Sequence, residues 1–147
     1  MEMEKPYVIG IDMGGTNTVF GIVDARGNVV AKGAIKTDNP DIDAYILDLK
    51  TELDKQIESV GGIDKIKGIG AGCPNGNFYT GNIEFAPNLP WKGVVPFAKL
   101  LSDSFGVPAA ITNDANAAAV GEMTYGVARG MKNFIMITLG TGVGSGI

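Results

Sequence analysis

The first part of the chain consists of short apolar runs separated by glycine-containing or polar breaks. One run begins at Tyr7 and breaks at the glycine pair 14–15, and two more occupy residues 19–24 and 29–35. Runs of this length, bounded by turn residues, are typical of strands. Three strands joined by short turns predict an antiparallel meander.

The next segment has the spacing of an amphipathic helix. Polar residues at 38–41 form a helix-start signal, and apolar residues then recur every three or four positions until the glycine pair 61–62 predicts the helix end. These apolar residues are Ile42, Tyr45, Ile46, Leu49, Leu53, Ile57 and Val60.

Strands and helices alternate in the rest of the chain. The predicted elements are a strand at 66–72, a helix from Pro96 to Gly106, a strand at 107–112, an alanine-rich helix after 113–114 that stops near Gly126, and a strand at 133–139. A meander followed by strands with crossover helices predicts an α/β fold with a mixed sheet. In such sheets ligands bind at the carboxyl ends of the strands.

The loop after the first strand carries Asp12, Gly14, Gly15 and Thr16. Glycines let backbone N–H groups approach an anion closely, so the loop is suited to phosphate, with Asp12 facing a metal ion. No lysine follows Gly15, which excludes a P-loop, and the glycine spacing excludes the dinucleotide fingerprint. The alternative is a tight hairpin without a ligand.

A second loop of this kind follows the strand at 133–139 and contains Gly140, Thr141 and Gly142. Two such loops could hold the phosphates of ATP from opposite sides of a cleft. The alternative is a flexible glycine-rich connector.

Asp114 follows a predicted strand and precedes a predicted helix, so it is a candidate general base or an ordinary helix N-cap. Asparagine side chains that both donate and accept hydrogen bonds suit a polyol such as a sugar, although each could simply form a turn. They are Asn75, Asn77, Asn88 and Asn113.

Composition narrows the function classes. The 147-residue chain has a net charge of −4 and no histidine, which excludes Ser-His and Cys-His catalysis. No cluster of basic residues indicates a nucleic-acid partner. No apolar run is long enough for a membrane helix, and the charged segment after Met1 is unlike a signal peptide. A cytoplasmic protein is therefore expected. The single cysteine, Cys73, is interpreted as structural.

Four motifs in order resemble the amino-terminal half of ROK-family sugar kinases and repressors, which have the actin-like, RNase-H-like ATPase fold. They are Gly10-Ile11-Asp12-Met13-Gly14-Gly15-Thr16, Ala86-Pro87-Asn88-Leu89 with Trp91, Asn113-Asp114-Ala115-Asn116-Ala117-Ala118, and Leu139-Gly140-Thr141-Gly142-Val143-Gly144-Ser145-Gly146-Ile147. The sequence looks most like bacterial glucokinases. It departs from the family at residues 73–78, where members often have Pro-Gly followed by a short hydrophobic and acidic stretch.

The resemblance implies phosphoryl transfer from ATP to the 6-hydroxyl of a hexose, most simply glucose. By position, Asp114 would be the general base, and Asp12 would act through Mg²⁺, with water between them. The implied sugar-binding residues are Asn88, Asn113 and Gly76. The implied ATP-phosphate ligands are Gly14, Gly15, Thr16, Gly140, Thr141 and Gly142. Kinases for N-acetylmannosamine, fructose or allose, and a sugar-sensing ROK regulator without catalysis, are the alternatives.

The resemblance also divides the chain into an actin-like lobe at 1–126 and the first strands of a second lobe at 127–147. The family's further sugar contacts, its zinc-binding cysteines and its adenosine-binding segment would lie beyond Ile147, so the chain is expected to be an inactive fragment without zinc ligands. The strand at 133–147 could pair with a second copy, which is the hypothesis of a homodimer.

Overall fold

A computed structural model describes residues 5–24, 26 and 28–113. These residues form two α-helices and eight strands that are numbered here in chain order. The elements are β1 (Tyr7–Met13), β2 (Asn17–Val23), β3 (Val29–Lys36), α1 (Ile42–Ser59), β4 (Ile66–Gly72), β5 (Gly76–Asn77), β6 (Asn82–Glu84), β7 (Val94–Val95), α2 (Phe97–Phe105) and β8 (Ala109–Thr112). A short 3-10 turn, Ile63–Lys65, precedes β4.

The larger sheet has the strand order β3-β2-β1-β4-β8 within the described residues. β1, β2 and β3 pair antiparallel, whereas β4 pairs parallel to β1, and β8 pairs parallel to β4. The predicted meander and mixed sheet are therefore confirmed. The predicted helix after Asp114 and the strand at 133–139 lie outside the described residues.

Burial along the strands follows from their places in the sheet. β1 is central and nearly continuously buried, with Ile9, Ile11 and Met13 fully inaccessible on one face. β3 is an outer strand of the described sheet, and its residues alternate between exposed and half-buried. An outer strand with one solvated face shows this two-residue period, whereas a central strand covered on both faces does not.

Helix α1 begins and ends as the spacing predicts. The Asp41 side chain caps its start by accepting a 3.0 Å hydrogen bond from the Asp43 backbone N–H. At its end, Gly61 and Gly62 have φ of 112° and 102°, a backbone conformation that favours glycine. The residues that it buries against the sheet are Tyr45, Ile46, Leu49, Leu53 and Ile57.

Helix α2 begins after Pro96 and ends at Gly106, which has φ of 74° in the left-handed region. It buries Phe97, Leu101 and Phe105 in the same core as α1. Among the described residues, no helix has the length and apolar content required to cross a membrane.

Between β4 and α2 lies a small antiparallel sheet of β5, β6 and β7 that the sequence pattern did not predict. Strands of two or three residues are too short to show a hydrophobic period. The sheet is attached to α2 by a 3.0 Å hydrogen bond from the Ala98 backbone N–H to the Gly81 carbonyl. It therefore sits at a fixed position beside the larger sheet.

Replacing Leu49 tests the shared core. Leu49 is fully buried, so Leu49→Ala removes apolar contacts and leaves a cavity, and we expect it to lower the free energy of unfolding by about 2–5 kcal/mol. The matched control is Leu47→Ala on the same helix, where the side chain is 63% exposed and the expected change is within about 0.5 kcal/mol. Urea unfolding measures both, and equal losses would contradict this packing of α1.

Candidate active site

The strand register brings three chain segments to one edge of the sheet. Asp12 in β1 pairs with Gly72 in β4, and Gly72 pairs with Thr112 in β8. All three residues lie at the carboxyl ends of parallel strands. The glycine loop after β1, the loop after β4 and Asn113 after β8 consequently start side by side, at the edge where α/β sheets bind ligands.

Asp12 lies in a half-buried position with room beside it. Its cross-strand neighbour Gly72 has no side chain, and within the described residues no hydrogen bond or ion pair reaches the Asp12 carboxylate. Loss of solvent on burial raises the pKa of this carboxyl above its ordinary value. A carboxylate at a strand end that lacks a described cationic partner is suited to a hydrated metal ion.

The glycine loop turns tightly because its backbone closes on itself. The Gly14 N–H donates a 2.8 Å hydrogen bond to the Asn17 carbonyl, and a Cβ on Gly14 would lie 3.0 Å from that oxygen. The Thr16 carbonyl accepts a 2.9 Å bond from the Thr37 N–H, which ties the loop to the segment after β3. Gly15 and Thr16 are exposed at the tip, so the loop presents backbone to solvent.

Three buried hydroxyl groups support this loop from below. The Thr18 hydroxyl oxygen lies 2.8 Å from the Thr37 hydroxyl and 2.7 Å from the Tyr45 hydroxyl, and all three residues are fully inaccessible. Burial is the main cause that raises the pKa of Tyr45, so the phenol stays protonated. The network joins β2, the segment after β3 and α1 directly behind the glycine loop.

Asn88 belongs to a second loop that touches the glycine loop. A Cβ on Gly15 would lie 3.4 Å from the Asn88 carbonyl oxygen and 3.5 Å from the Asn88 Cβ. The Asn88 loop is anchored by Trp91. The Trp91 Nε1–H donates a 2.9 Å hydrogen bond to the Asn39 carbonyl, and the centroid of the Trp91 ring lies 4.7 Å from the centroid of the Tyr45 ring. The same tyrosine therefore supports both loops.

A cavity of about 480 Å³ opens at the same sheet edge. It is lined by residues 75–79, Glu84, Thr112 and Asn113. The structure thus brings together three of the four predicted asparagines, while Asn88 is not in the described lining and lies against Gly15 instead. Gly76 approaches the β8 backbone so closely that a Cβ there would lie 2.7 Å from the Thr112 carbonyl oxygen. Gly76 permits this close backbone contact beside Asn113.

Sequence reasoning missed the conformation of Phe85. Its φ of 55° is rare for a bulky residue, and its side chain is 70% exposed. The Asn75 amide holds this turn by donating to the carbonyls of Glu84 and Phe85 at 2.9 and 3.1 Å. Because a backbone dihedral of this kind leaves no mark on hydrophobic periodicity, no sequence signal could have identified it.

Several predicted residues lie outside the described part of the chain. They are Asp114, Gly140, Thr141 and Gly142. Their roles, the division into lobes at 1–126 and 127–147, and the homodimer stay predictions. Asn113, which immediately precedes Asp114, is described and lines the cavity.

The ROK family sequence profile matches residues 8–147. The chain belongs to the ROK family. The glucokinase of Halalkalibacterium halodurans is 38% identical over 151 residues, a match that covers 99% of this chain and 44% of that protein. This ROK chain therefore spans less than half the length of that relative.

Two further comparisons bear on fold and function. The xylose repressor of Caldicellulosiruptor bescii is 31% identical over 146 residues, covering 95% of this chain and 36% of the repressor. The crystal structure of a ROK family glucokinase from Streptomyces griseus, in complex with glucose and AMPPNP, superposes with a TM-score of 0.64 at 28% identity, covering 82% of this chain and 37% of that one. The predicted actin-like α/β fold of the ROK family is confirmed.

The residues present fit the nucleotide and metal that ROK membership implies. The exposed glycine tip can approach phosphate oxygens, and Asp12 supplies a carboxylate at the adjacent strand end. Within the described ranges, no group of three or more His, Cys, Asp or Glu side chains could hold a metal ion. Mg²⁺ in proteins usually keeps several water ligands and binds through one or two carboxylates and substrate phosphates, so the Asp12 carboxylate would fit this ion.

Substituting the two glycines of the site tests which one the fold requires. Gly76→Ala forces its Cβ against backbone, and we expect it to lower the free energy of unfolding by about 1–3 kcal/mol. Gly15→Ala meets only ordinary contacts and should change stability by less than about 1 kcal/mol. Urea unfolding of both variants measures these changes. A larger loss of stability in Gly15→Ala than in Gly76→Ala would disprove the close approach of Gly76 to Thr112.

Asp12→Asn tests the electrostatic state of the site. Since burial raises the pKa of Asp12, the folded state binds this proton more tightly than the unfolded chain, and stability falls as pH rises from the ordinary value of 3.8 through the raised pKa. Asp12→Asn should therefore be more stable than the wild type at neutral pH, and this advantage should shrink as pH falls through the raised pKa and be lost below pH 3.8, where the wild-type carboxyl is protonated in both states. Thermal unfolding across pH measures the difference.

The control for Asp12→Asn is Asp48→Asn, which removes an exposed carboxylate from α1. It changes the net charge by the same amount without altering the sheet edge. A variant of Asp12 that is less stable than the wild type at neutral pH would mean that the carboxylate has stabilising partners.

Proposed function

We propose that the full-length protein is an ATP-dependent hexose kinase that phosphorylates the sugar 6-hydroxyl, with glucose as the preferred substrate. The observation that carries this proposal is the convergence of Asp12, the glycine loop and Asn113 at one sheet edge beside a cavity. The 38% identity to the H. halodurans glucokinase supports the choice of glucose. A cytoplasmic location, where ATP is available, is part of the proposal.

In the proposed reaction, the sugar lies in the cavity and accepts or donates hydrogen bonds at Asn113, which lines it. Asn88 lies outside the described lining, against Gly15, and is proposed to contact the sugar from the side of the glycine loop. The 6-hydroxyl oxygen attacks the γ-phosphorus of ATP, its proton passes to the Asp114 carboxylate, and the bond to the β-phosphate oxygen breaks to release ADP. Bound Mg²⁺ supplies charge neutralisation on the phosphates. The exposed backbone of Gly15 and Thr16 is proposed to hold phosphate oxygens, while Gly14 shapes the turn through its hydrogen bond to the Asn17 carbonyl. Gly140, Thr141 and Gly142 are proposed to hold the phosphates as well.

The division of labour among carboxylates follows from position. Asp12 is at the end of β1 beside the glycine loop, so it acts on the metal and phosphate side. Asp114 directly follows Asn113 in sequence, and the place of Asn113 in the cavity lining supports a role for Asp114 on the sugar side. A base must lie within hydrogen-bond reach of the proton that it accepts, and the proposal requires the Asp114 carboxylate to meet this condition.

A sugar-sensing regulator without catalysis is the second candidate. The 31% identity to a xylose repressor favours it, because a repressor of this kind shares the region that contains the cavity. Kinases for N-acetylmannosamine, fructose or allose remain alternatives within the enzyme class. Small contacts separate such sugars by only about 1–3 kcal/mol each.

The decisive experiment measures ATP-dependent phosphorylation of a hexose panel by the natural full-length protein and by its Asp114→Asn variant. We expect glucose turnover in the wild type and a loss of at least about 100-fold in kcat in the variant, with glucose binding retained, because the amide cannot accept the proton. Calorimetric titration measures the binding. Glucose binding without turnover in the wild type would favour the regulator instead.

The 147-residue chain is assayed in parallel. It spans 44% of the length of the H. halodurans glucokinase, and we expect little turnover from it on its own. Turnover equal to that of the full-length protein would contradict this expectation.

A further inference from the structure

Glu84 is a cavity residue that the motif analysis did not single out. It lies at the end of β6, where Ile83 is buried in the core, so strand alternation turns Glu84 to the opposite face. On that face Glu84 lines the 480 Å³ cavity together with Asn77 and Asn113. Glu84 therefore borders the space in which the sugar is proposed to bind.

Two neighbours hold this carboxylate in place. Glu84 Oε1 accepts a 3.2 Å hydrogen bond from Asn77 Nδ2, and Oε2 accepts a 3.0 Å bond from the Thr80 hydroxyl. Asn77 is itself fixed, because its Oδ1 accepts from the backbone N–H groups of Tyr79 and Thr80 at 2.9 and 3.2 Å. The turn between β5 and β6 thus fixes the orientation of the carboxylate before any ligand binds.

The carboxylate retains acceptor capacity. A carboxylate can accept about four hydrogen bonds, and the described residues supply two of them to Glu84. Sugar hydroxyl groups are donors of the kind that such an acceptor requires. A hydrogen bond to an ionised group is stronger than one between neutral groups, so this contact would matter for affinity.

The charge of the cavity points to a substrate class. Among the described residues that line it, Glu84 is the one charged side chain and none is Lys or Arg. A sugar phosphate or sugar acid would place a second negative charge near an uncompensated carboxylate. Phe78 and Tyr79 add an edge-to-face aromatic pair on which the apolar face of a sugar ring can pack.

We propose that Glu84 accepts a hydroxyl hydrogen of the substrate and makes the cavity specific for neutral hexoses over sugar acids and sugar phosphates. Asn77 and Thr80 are positioning residues that act through Glu84. This inference rests on the proposed function, since it assigns a specificity determinant to the same sugar site.

The test compares Glu84→Gln with the wild type in the full-length protein. We expect the KM and Kd for glucose to rise about tenfold, while kcat and the KM for ATP stay within about twofold, because the lost contact binds the sugar and takes no part in proton transfer. Glucuronate is the anionic probe, and its inhibition constant should fall in Glu84→Gln. Calorimetric titration gives both affinities without depending on turnover.

Matched variants separate binding from folding. Glu58→Gln removes an exposed carboxylate from α1 and should leave every parameter unchanged. Thr80→Val removes the hydroxyl that holds Glu84, so it should raise the glucose KM as Glu84→Gln does. Thr80→Ser keeps the hydroxyl, so its glucose KM should stay at the wild-type value. The Thr80 pair also serves if Glu84→Gln fails to fold.

The outcomes distinguish this inference from the proposed function. Wild-type glucose phosphorylation together with an unchanged glucose KM in Glu84→Gln would overturn the role of Glu84 and leave the kinase intact. Wild-type glucose binding without turnover would overturn the kinase, and the Kd values would still decide the role of Glu84. A wild type that binds no neutral hexose would overturn both.

Discussion

The parallel register of β1, β4 and β8 is the constraint on which the site depends. Asp12, Gly72 and Thr112 stand in one row across these strands, so the loops that follow them start together. A slip of one residue would turn Asp12 to the opposite face of the sheet, where Ile11 and Met13 now form the core. The fit of Gly76 against the Thr112 carbonyl depends on the same register.

The glycine loop and the Asn88 loop are mechanically connected through Tyr45 of α1. Tyr45 contributes its hydroxyl to the network behind the glycine loop and its ring to the packing of Trp91 below Asn88. Buried hydroxyls are costly unless they are hydrogen-bonded, and here each one has a partner. An apolar core could supply packing alone, whereas this arrangement also fixes where two loops lie relative to each other.

The sequence predicted those parts of the structure that depend on hydrophobic periodicity or on capping and turn residues. Helical spacing predicted the burial of Leu49 and Leu53. Asp41 predicted the start of α1, and Gly106 predicted the end of α2. The convergence of Asp12 and Asn113 followed from the rule that parallel strands end at one edge. The roles proposed for these side chains remain predictions.

The remainder could not be predicted, for identifiable physical reasons. The small sheet of β5, β6 and β7 is held by hydrogen bonds between adjacent loop segments, such as the one from the Phe85 N–H to the Gly93 carbonyl, and its strands are too short to show a hydrophobic period. Glu84 resembles any surface carboxylate in sequence, since its place in the cavity depends on which face of β6 is buried. The positive φ of Asn75 and Phe85 arises from tertiary contacts.

The packing of Trp91 gives the protein an optical property. It is the single tryptophan of the chain, it is 5% exposed, and its indole N–H is fixed on the Asn39 carbonyl. Indole emission depends on local polarity, and the Tyr45 ring lies 4.7 Å away, close enough for excitation energy to pass between them. Trp91 is three residues from Asn88, so intrinsic fluorescence is a built-in spectroscopic reporter of any displacement of that loop.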